Sequence, residues 1–373
     1  MREKTGIVIV LAVIFAILLI ILIKVFDPDK GGGGTEPSQD FSTGETGVSG
    51  TEPVTEPVTG FVGGGGGSPG EQETPEETTA EKPAEESTTG EDVELYGTVY
   101  PYDTERIDIS GTAVEDVEYL AGQLSKLGRL TYVDMCDCGL SNEQMEGLTE
   151  RFPNIKFVWK VTLGLWTIRT DCVAFSTLKD GTITYRLTNE DVKVLKYCTD
   201  MVALDLGHNR VTDISFLQYM PELRILILVD NRVEGYDDVY ISDLSYLKYT
   251  PKLKYLEFFV GSVSDISFLQ DTPELVDLNI SYNPVSDVWN LMKLPKLERL
   301  YIEHTNLTEE DYRLLQETYP QAQIVYYGEG SVDQGWREHE RYYAMMDMFR
   351  NNYVNELFLD LRQETDSRRR PSD

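Results

Sequence analysis

The chain has little of what marks a catalytic or metal site. It holds three histidines and four cysteines in 373 residues, and neither set has zinc-ligand spacing such as H-E-x-x-H. No Walker loop, dinucleotide fingerprint or nucleophile elbow stands out from the background. We therefore expect no enzyme, no cofactor and no metal. Basic residues are scarce too, 33 Lys and Arg against 64 Asp and Glu, for a net charge of −31. Nucleic-acid binding needs a basic footprint to release counterions, so that class is excluded.

A third shortage is local. Residues 27–94 contain no Trp, Tyr or Cys, but they hold 15 of the 30 glycines, 7 of the 16 prolines, and 17 acidic against 2 basic residues. Such a segment cannot bury enough apolar surface to offset its chain entropy. It reads as a disordered acidic linker, with a flexible-coil span of about 45 Å. Before it, Ile7 to Ile23 is an uninterrupted apolar run behind Arg2 and Lys4. The run approaches the length that crosses a bilayer, and no small-residue cleavage site ends it. We expect residues 1–26 to be an N-terminal transmembrane signal anchor. The rest would then lie outside the cell, since the basic flank favours a cytoplasmic N-terminus.

What is abundant is a repeat. Leu204-x-Leu206-x-x-Asn209-x-Val211 returns as Leu226-x-Leu228-x-x-Asn231-x-Val233 and as Leu256-x-Phe258-x-x-Gly261-x-Val263. Leu278-x-Ile280-x-x-Asn283-x-Val285 and Leu300-x-Ile302-x-x-Thr305-x-Leu307 continue it. Ile107 to Val114 and Val133 to Leu140 fit the same frame, with Cys138 in the Asn slot, and Phe157 and Trp159 begin another strand. Two apolar residues two apart point to one side of a short strand, and the Asn can satisfy buried backbone groups after it. This is the leucine-rich repeat pattern. It predicts an α/β solenoid with stacked parallel strands on a concave face and short helices or 3₁₀ turns on a convex one. Val211-Thr-Asp-Ile-Ser-Phe-Leu217 and Val263-Ser-Asp-Ile-Ser-Phe-Leu269 are too short for long returns. Ser141, Thr188 and Thr308 start capping boxes that predict true helices. Asn209, Asn231 and Asn283 are read as structural, as are His208 and His304, which occupy equivalent places before the turn.

The Asp-Ile-Ser-Phe-Leu returns within a 22-residue period resemble bacterial internalin-type leucine-rich repeat surface proteins. The resemblance covers 201–307 well and 105–327 loosely. It implies a solenoid whose concave face binds a protein partner. We expect a repeat domain over 95–327, with an irregular insertion about 160–187 in which 162–169 and 181–185 alternate like strands. A second insertion spans 234–241, and a helical C-terminal cap and basic tail occupy 328–373.

Side chains beside the core slots face outward. Ile225, Ile227, Tyr255, Phe259 and Tyr301 predict an apolar and aromatic stripe, with Glu257, Asn279 and Glu303 beside it; these are the candidate binding residues. A protein ligand with a neutral or basic surface is the expected partner, because residues 95–373 carry −18 of the charge. Binding of cell-wall glycan or peptide in the same groove is the alternative, and a site in the insertion and C-terminal segment is the third. A further reading is that the 234–241 insertion or the C-terminal segment covers the stripe. Trp336 to Phe349 is helix-compatible, with Trp336, Tyr343, Met346 and Phe349 near one face. Cys136 is expected to face outward. Four thiols are expected, with one bridge through Cys172 as the alternative.

Overall fold

A short strand forms where the two core slots of each repeat fall two residues apart, because that spacing puts both on one face of an extended chain. In the computed structural model, which describes residues 90–178, 185–235 and 238–359, these strands stack in parallel. Seven make one sheet, in chain order from edge to edge: Ala174–Ser176, Ala203–Asp205, Ile225–Ile227, Tyr255–Glu257, Asp277–Asn279, Arg299–Tyr301 and Gln323–Val325. Leu204, Leu226, Leu256, Leu278, Leu300 and Ile324 fall in register across it. Arg106–Asp108, Tyr132–Asp134 and Lys156–Val158 form a separate three-stranded parallel sheet. The described residues all belong to one compact unit, Glu81–Asp373.

The Asn slot does the work expected of it. Asn209 accepts from the Leu187 backbone N–H at 2.7 Å and donates to the Leu206 and Gly207 carbonyls. Asn231 accepts from the Val211 N–H and donates to the Leu206 carbonyl, and Asn283 does the same with Val263 and Phe258. Each amide thus ties neighbouring repeats through groups that would otherwise be buried unpaired. Cys138 fills the slot in its own repeat, its thiol donating to the Ile109 carbonyl at 3.1 Å. The residue before the slot turns left-handed: Asp137, His208, Asp230, Val260, Tyr282 and His304 all have φ between 46° and 62°. The two histidines therefore sit at a backbone turn, as the repeat reading has it.

The returns follow their caps. Ser215–Tyr219, Ser245–Tyr249 and Ser267–Asp271 are 3₁₀ turns, and Val288–Leu291 is one turn of α-helix. In each the preceding Asp accepts a backbone N–H two residues on. Ser141 and Thr308 open ten-residue helices, Asn142–Arg151 and Glu309–Thr318, with complete capping boxes. The Thr188 box opens only Asn189–Val192 before the chain tightens into the 3₁₀ turn Lys193–Tyr197, so the longer helix expected there is corrected.

Between the two parallel sheets, Lys160–Leu163 and Trp166–Arg169 pair as an antiparallel hairpin. That matches the alternation read there; residues 181–184 of the second alternating stretch lie outside the described residues. The irregular insertion is shorter than 160–187, because Ala174–Ser176 is a solenoid strand with Phe175 in the core slot. An N-terminal hairpin, Val93–Leu95 with Thr98–Tyr100, buries Val93 and Leu95 and begins inside the stretch assigned to the linker. Among the described residues no helix is long and apolar enough to cross a membrane; Ile7 to Ile23 lies outside them.

Candidate binding surfaces

The C-terminal segment decides the fate of the predicted stripe. It contributes the helix Glu340–Asn351, started by His339, whose imidazole accepts from the Arg341 N–H. This helix lies along the outer face of the seven-stranded sheet, the face expected to be concave. Trp336, Met345, Met348, Phe349 and Phe358 form a second apolar cluster with Ala203, Ile225, Ile227, Val229, Tyr255 and Tyr301. Trp336 stands outside the helix and is fully buried, its ring 5.1 Å from Tyr255 and 4.8 Å from Tyr301. Of the expected face, Trp336 and Phe349 are buried and Met346 packs against the cluster, but Tyr343 is 61% exposed, and Met345 and Met348 point inward in its place.

The candidate residues are brought together, but as an interior. Ile225, Ile227, Tyr255, Glu257, Asn279, Tyr301 and Glu303 are all buried. Phe259 is half-buried beside them, meeting Tyr282 edge-on and lying under the Gly330 turn. The expectation of a solvent-exposed stripe is overturned: its apolar side chains find their partners in the chain's own C-terminal segment. The described part of the 234–241 insertion instead joins a small ribbon, Arg232–Val233 paired with Val239–Tyr240.

Polar anchors fix that cover. Asp277, fully buried, accepts two hydrogen bonds from Arg299 at 2.8 and 2.9 Å and two from Arg341 at 2.7 Å each. Burial alone would raise its pKa, but the two guanidinium groups hold it below the usual carboxylate range. Arg341 also reaches Glu298, and Arg299 donates to the Trp336 carbonyl with its guanidinium 4.6 Å from the Trp336 ring. Tyr301 donates to the Gln334 carbonyl, and Tyr255 to Glu257 at 3.0 Å. Asn352 accepts from the Val173 and Ala174 N–H groups at the sheet's edge strand. Glu303 accepts from Ser281, and Asp205 from Ser176; burial raises the pKa of both acids.

The outer face of the three-stranded sheet carries a different surface. Arg106 and Asp108 are exposed there, and Tyr132 and Lys156 half-exposed. The Arg106 guanidinium lies 3.7 Å from the Tyr132 ring centroid. Arg169, supplied by the hairpin, makes a two-pronged pair with Asp171 at 2.8 and 2.9 Å, and reaches Asp134 and the Tyr132 hydroxyl. An arginine stacked on a tyrosine, with ion pairs beside it, is a composition enriched where proteins bind one another. Sequence reasoning missed this patch because Arg169 lies in the irregular stretch, outside any repeat slot.

Cys136, expected to face outward, is buried beneath Arg169, whose guanidinium donates to its sulfur at 3.3 Å. Burial pushes this thiol up to about 12. Cys138, Cys172 and Cys198 are also buried, and none of the four forms a disulfide. Among the described residues no group of three or more His, Cys, Asp or Glu could hold a metal ion.

No family model and no curated protein matches the chain. Solved structures similar to it include internalin C2 from Listeria monocytogenes, at 21% identity and TM-score 0.29. That match covers 35% of this chain and 63% of the other, so the chain spans less than two thirds of that structure. An internalin (inlF) of the same organism matches at 17% identity and TM-score 0.31, over 62% of this chain and 86% of that one. A leucine-rich repeat protein of Leptospira interrogans matches at 13% identity and TM-score 0.33, over 61% and 55%. The leucine-rich repeat architecture itself stands on the strand register and asparagine ladder above.

Proposed function

We propose that this chain is a membrane-anchored recognition protein. Its acidic linker holds a leucine-rich repeat domain outside the cell, and the domain binds a protein partner. The apolar run Ile7 to Ile23 supports the anchor, and the composition of 27–94 supports the linker. The observation that carries the binding reading is the difference between the two parallel sheets. The outer face of the seven-stranded sheet is occupied by the C-terminal segment, while that of the three-stranded sheet, with Arg106, Tyr132 and the neighbouring Arg169, has no cover among the described residues. The partner surface sits there, and the domain's acidic excess favours a neutral or basic partner.

Cross-linking the full chain on intact cells tests this, comparing wild type with Arg106→Glu and Tyr132→Ala. Both substitutions are expected to abolish recovery of the same cross-linked partner, with circular dichroism and melting unchanged. Recovery of that partner by both variants at the wild-type level overturns the assignment of this surface. A protease added to intact cells should also remove a C-terminal epitope; its full protection would overturn the extracellular placement.

A further inference from the structure

A second feature arises from the same break in the repeat. Between Val158 and Leu187 the described residues build a hairpin and a strand, but no helical return. The helix Asn142–Arg151 and the 3₁₀ turn Lys193–Tyr197 therefore have no return packed between them. A cavity of about 440 Å³ opens there, walled by Phe157, Trp159, Tyr197 and Tyr219. A second cavity of about 280 Å³ continues it towards Phe216 and shares Lys196 and Tyr219 with the first. Together they make a groove along the return side of the solenoid, away from the covered sheet face. The larger part falls within the usual size of small-ligand sites, roughly 300–1,000 Å³.

Four charges at its rim neutralise one another in pairs, with Glu150 and Asp213 beside them. Lys196 donates to both carboxylate oxygens of Glu146 at 3.0 and 3.2 Å, and the Tyr197 hydroxyl donates to Glu146 at 2.9 Å. Lys156 pairs with Asp200 across the other end. A strongly charged ligand would have to break these pairs and leave a partner uncompensated, which is costly. A neutral ligand can use the remaining carboxylate lone pairs and the hydroxyls of the exposed Thr149 and Thr199 without doing so. The walls are side chains, whereas docking an extended peptide draws on an open strand edge. Trp159 is held in place by its indole N–H on Asn142 and by tilted contact with Tyr197 at 5.1 Å.

We propose that this groove binds a neutral saccharide chain: pyranose rings lay their C–H faces on Tyr219 and Tyr197, backed by the buried Phe157 and Trp159, and their hydroxyls bond to the carboxylates and threonines. Two cavities in line accommodate more than one sugar unit. The groove meets the Arg106–Tyr132 surface at Lys156, which belongs to both, but Tyr219, the residue substituted in the test, lies only in the groove.

The test is calorimetric titration of the full chain, in a detergent without a sugar headgroup. The probes are cellotetraose, chitotetraose and maltotetraose, with tetra-alanine as the peptide control. At least one tetrasaccharide is expected to bind, and tetra-alanine is not. Tyr219 is 43% exposed, so Tyr219→Ala leaves the core intact; it should weaken binding by about tenfold, the loss of one ring contact. Tyr249 holds the equivalent place on the next return and lines neither cavity, so Tyr249→Ala should bind as wild type. Failure of all three tetrasaccharides to bind, equal binding of tetra-alanine, or undiminished binding by a folded Tyr219→Ala protein overturns the proposal.

Discussion

The C-terminal segment is bound to its own solenoid much as a ligand would be, and Trp336→Ala measures how tightly. The Trp336 side chain is fully buried, flanked by Tyr255 and Tyr301 and faced by the Arg299 guanidinium. Truncating a buried tryptophan to alanine costs about 3–5 kcal/mol, and lost aromatic-pair geometry belongs to that figure rather than adding to it. If the segment opens locally, this cost falls on the opening equilibrium alone. At 1.4 kcal/mol per tenfold, the open population should rise by about 100- to 4,000-fold. Hydrogen exchange read by mass spectrometry follows this directly. Amides of Glu340–Asn351 should exchange faster by that factor, whereas those around Leu204, Leu226 and Leu256 should keep wild-type rates. Two results would refute the reasoning. Unchanged exchange in the helix would mean that Trp336 does not hold it. Equal acceleration in helix and central strands would mean that cover and solenoid open as one unit.

Three other outcomes follow from the same geometry. Burial raises the pKa of Asp205 and Glu303, so the stability they contribute is full below the unfolded carboxylate value, about 4, and is lost as pH rises through their raised folded values. Asp277 is shifted the other way by Arg299 and Arg341, and its contribution is lost only as pH falls through its lowered value. Melting temperature should therefore decline as pH rises above about 4, and Glu303→Gln should flatten that decline; an unchanged slope would rule out Glu303 as its source. Asn231→Ala strands the Val211 N–H, while the Leu206 carbonyl loses one of its two donors and keeps Asn209. It should cost about 1–3 kcal/mol for the buried group left unpaired, measured by urea unfolding, and a loss under about 0.5 kcal/mol would contradict the ladder's role. Gly330 has φ 69°, and a Cβ there would lie 2.0 Å from the Phe259 ring. Gly330→Ala should loosen the C-terminal segment by about 1–3 kcal/mol in the exchange assay, and Phe259→Leu should relieve part of this in a double-mutant cycle.

The repeat was legible because each slot has one physical job. Leu204, Leu226 and Leu256 must point inward, and Asn209, Asn231 and Asn283 must reach backbone groups that no water can serve. Period alone locates such residues. The strand Ala174–Ser176 was hidden because Thr177, two residues after Phe175, stands where an apolar residue such as Leu206 recurs elsewhere. The open groove was hidden because it is space left by a missing return, and a missing return has no sequence of its own.

The outer sheet face shows where periodicity stops being informative. A strand's alternation separates its two faces, but it cannot say what covers the second one. Ile225, Ile227 and Tyr255 face away from the solenoid core, as their slots require, yet each is buried. The cover lies about a hundred residues further along the chain, so no local rule connects the two. A pairing signal was nonetheless present. The outward slots are too apolar for a solvated face, Met345, Met348 and Phe349 make a second unpartnered stripe, and Asp277 beside Arg299 leaves room for another cation, which Arg341 supplies. Two apolar stripes in one chain, with a charge match between them, define an internal interface before they define a binding site. For that reason we propose the partner surface at Arg106, Tyr132 and Arg169, where ionic and aromatic groups have no cover among the described residues.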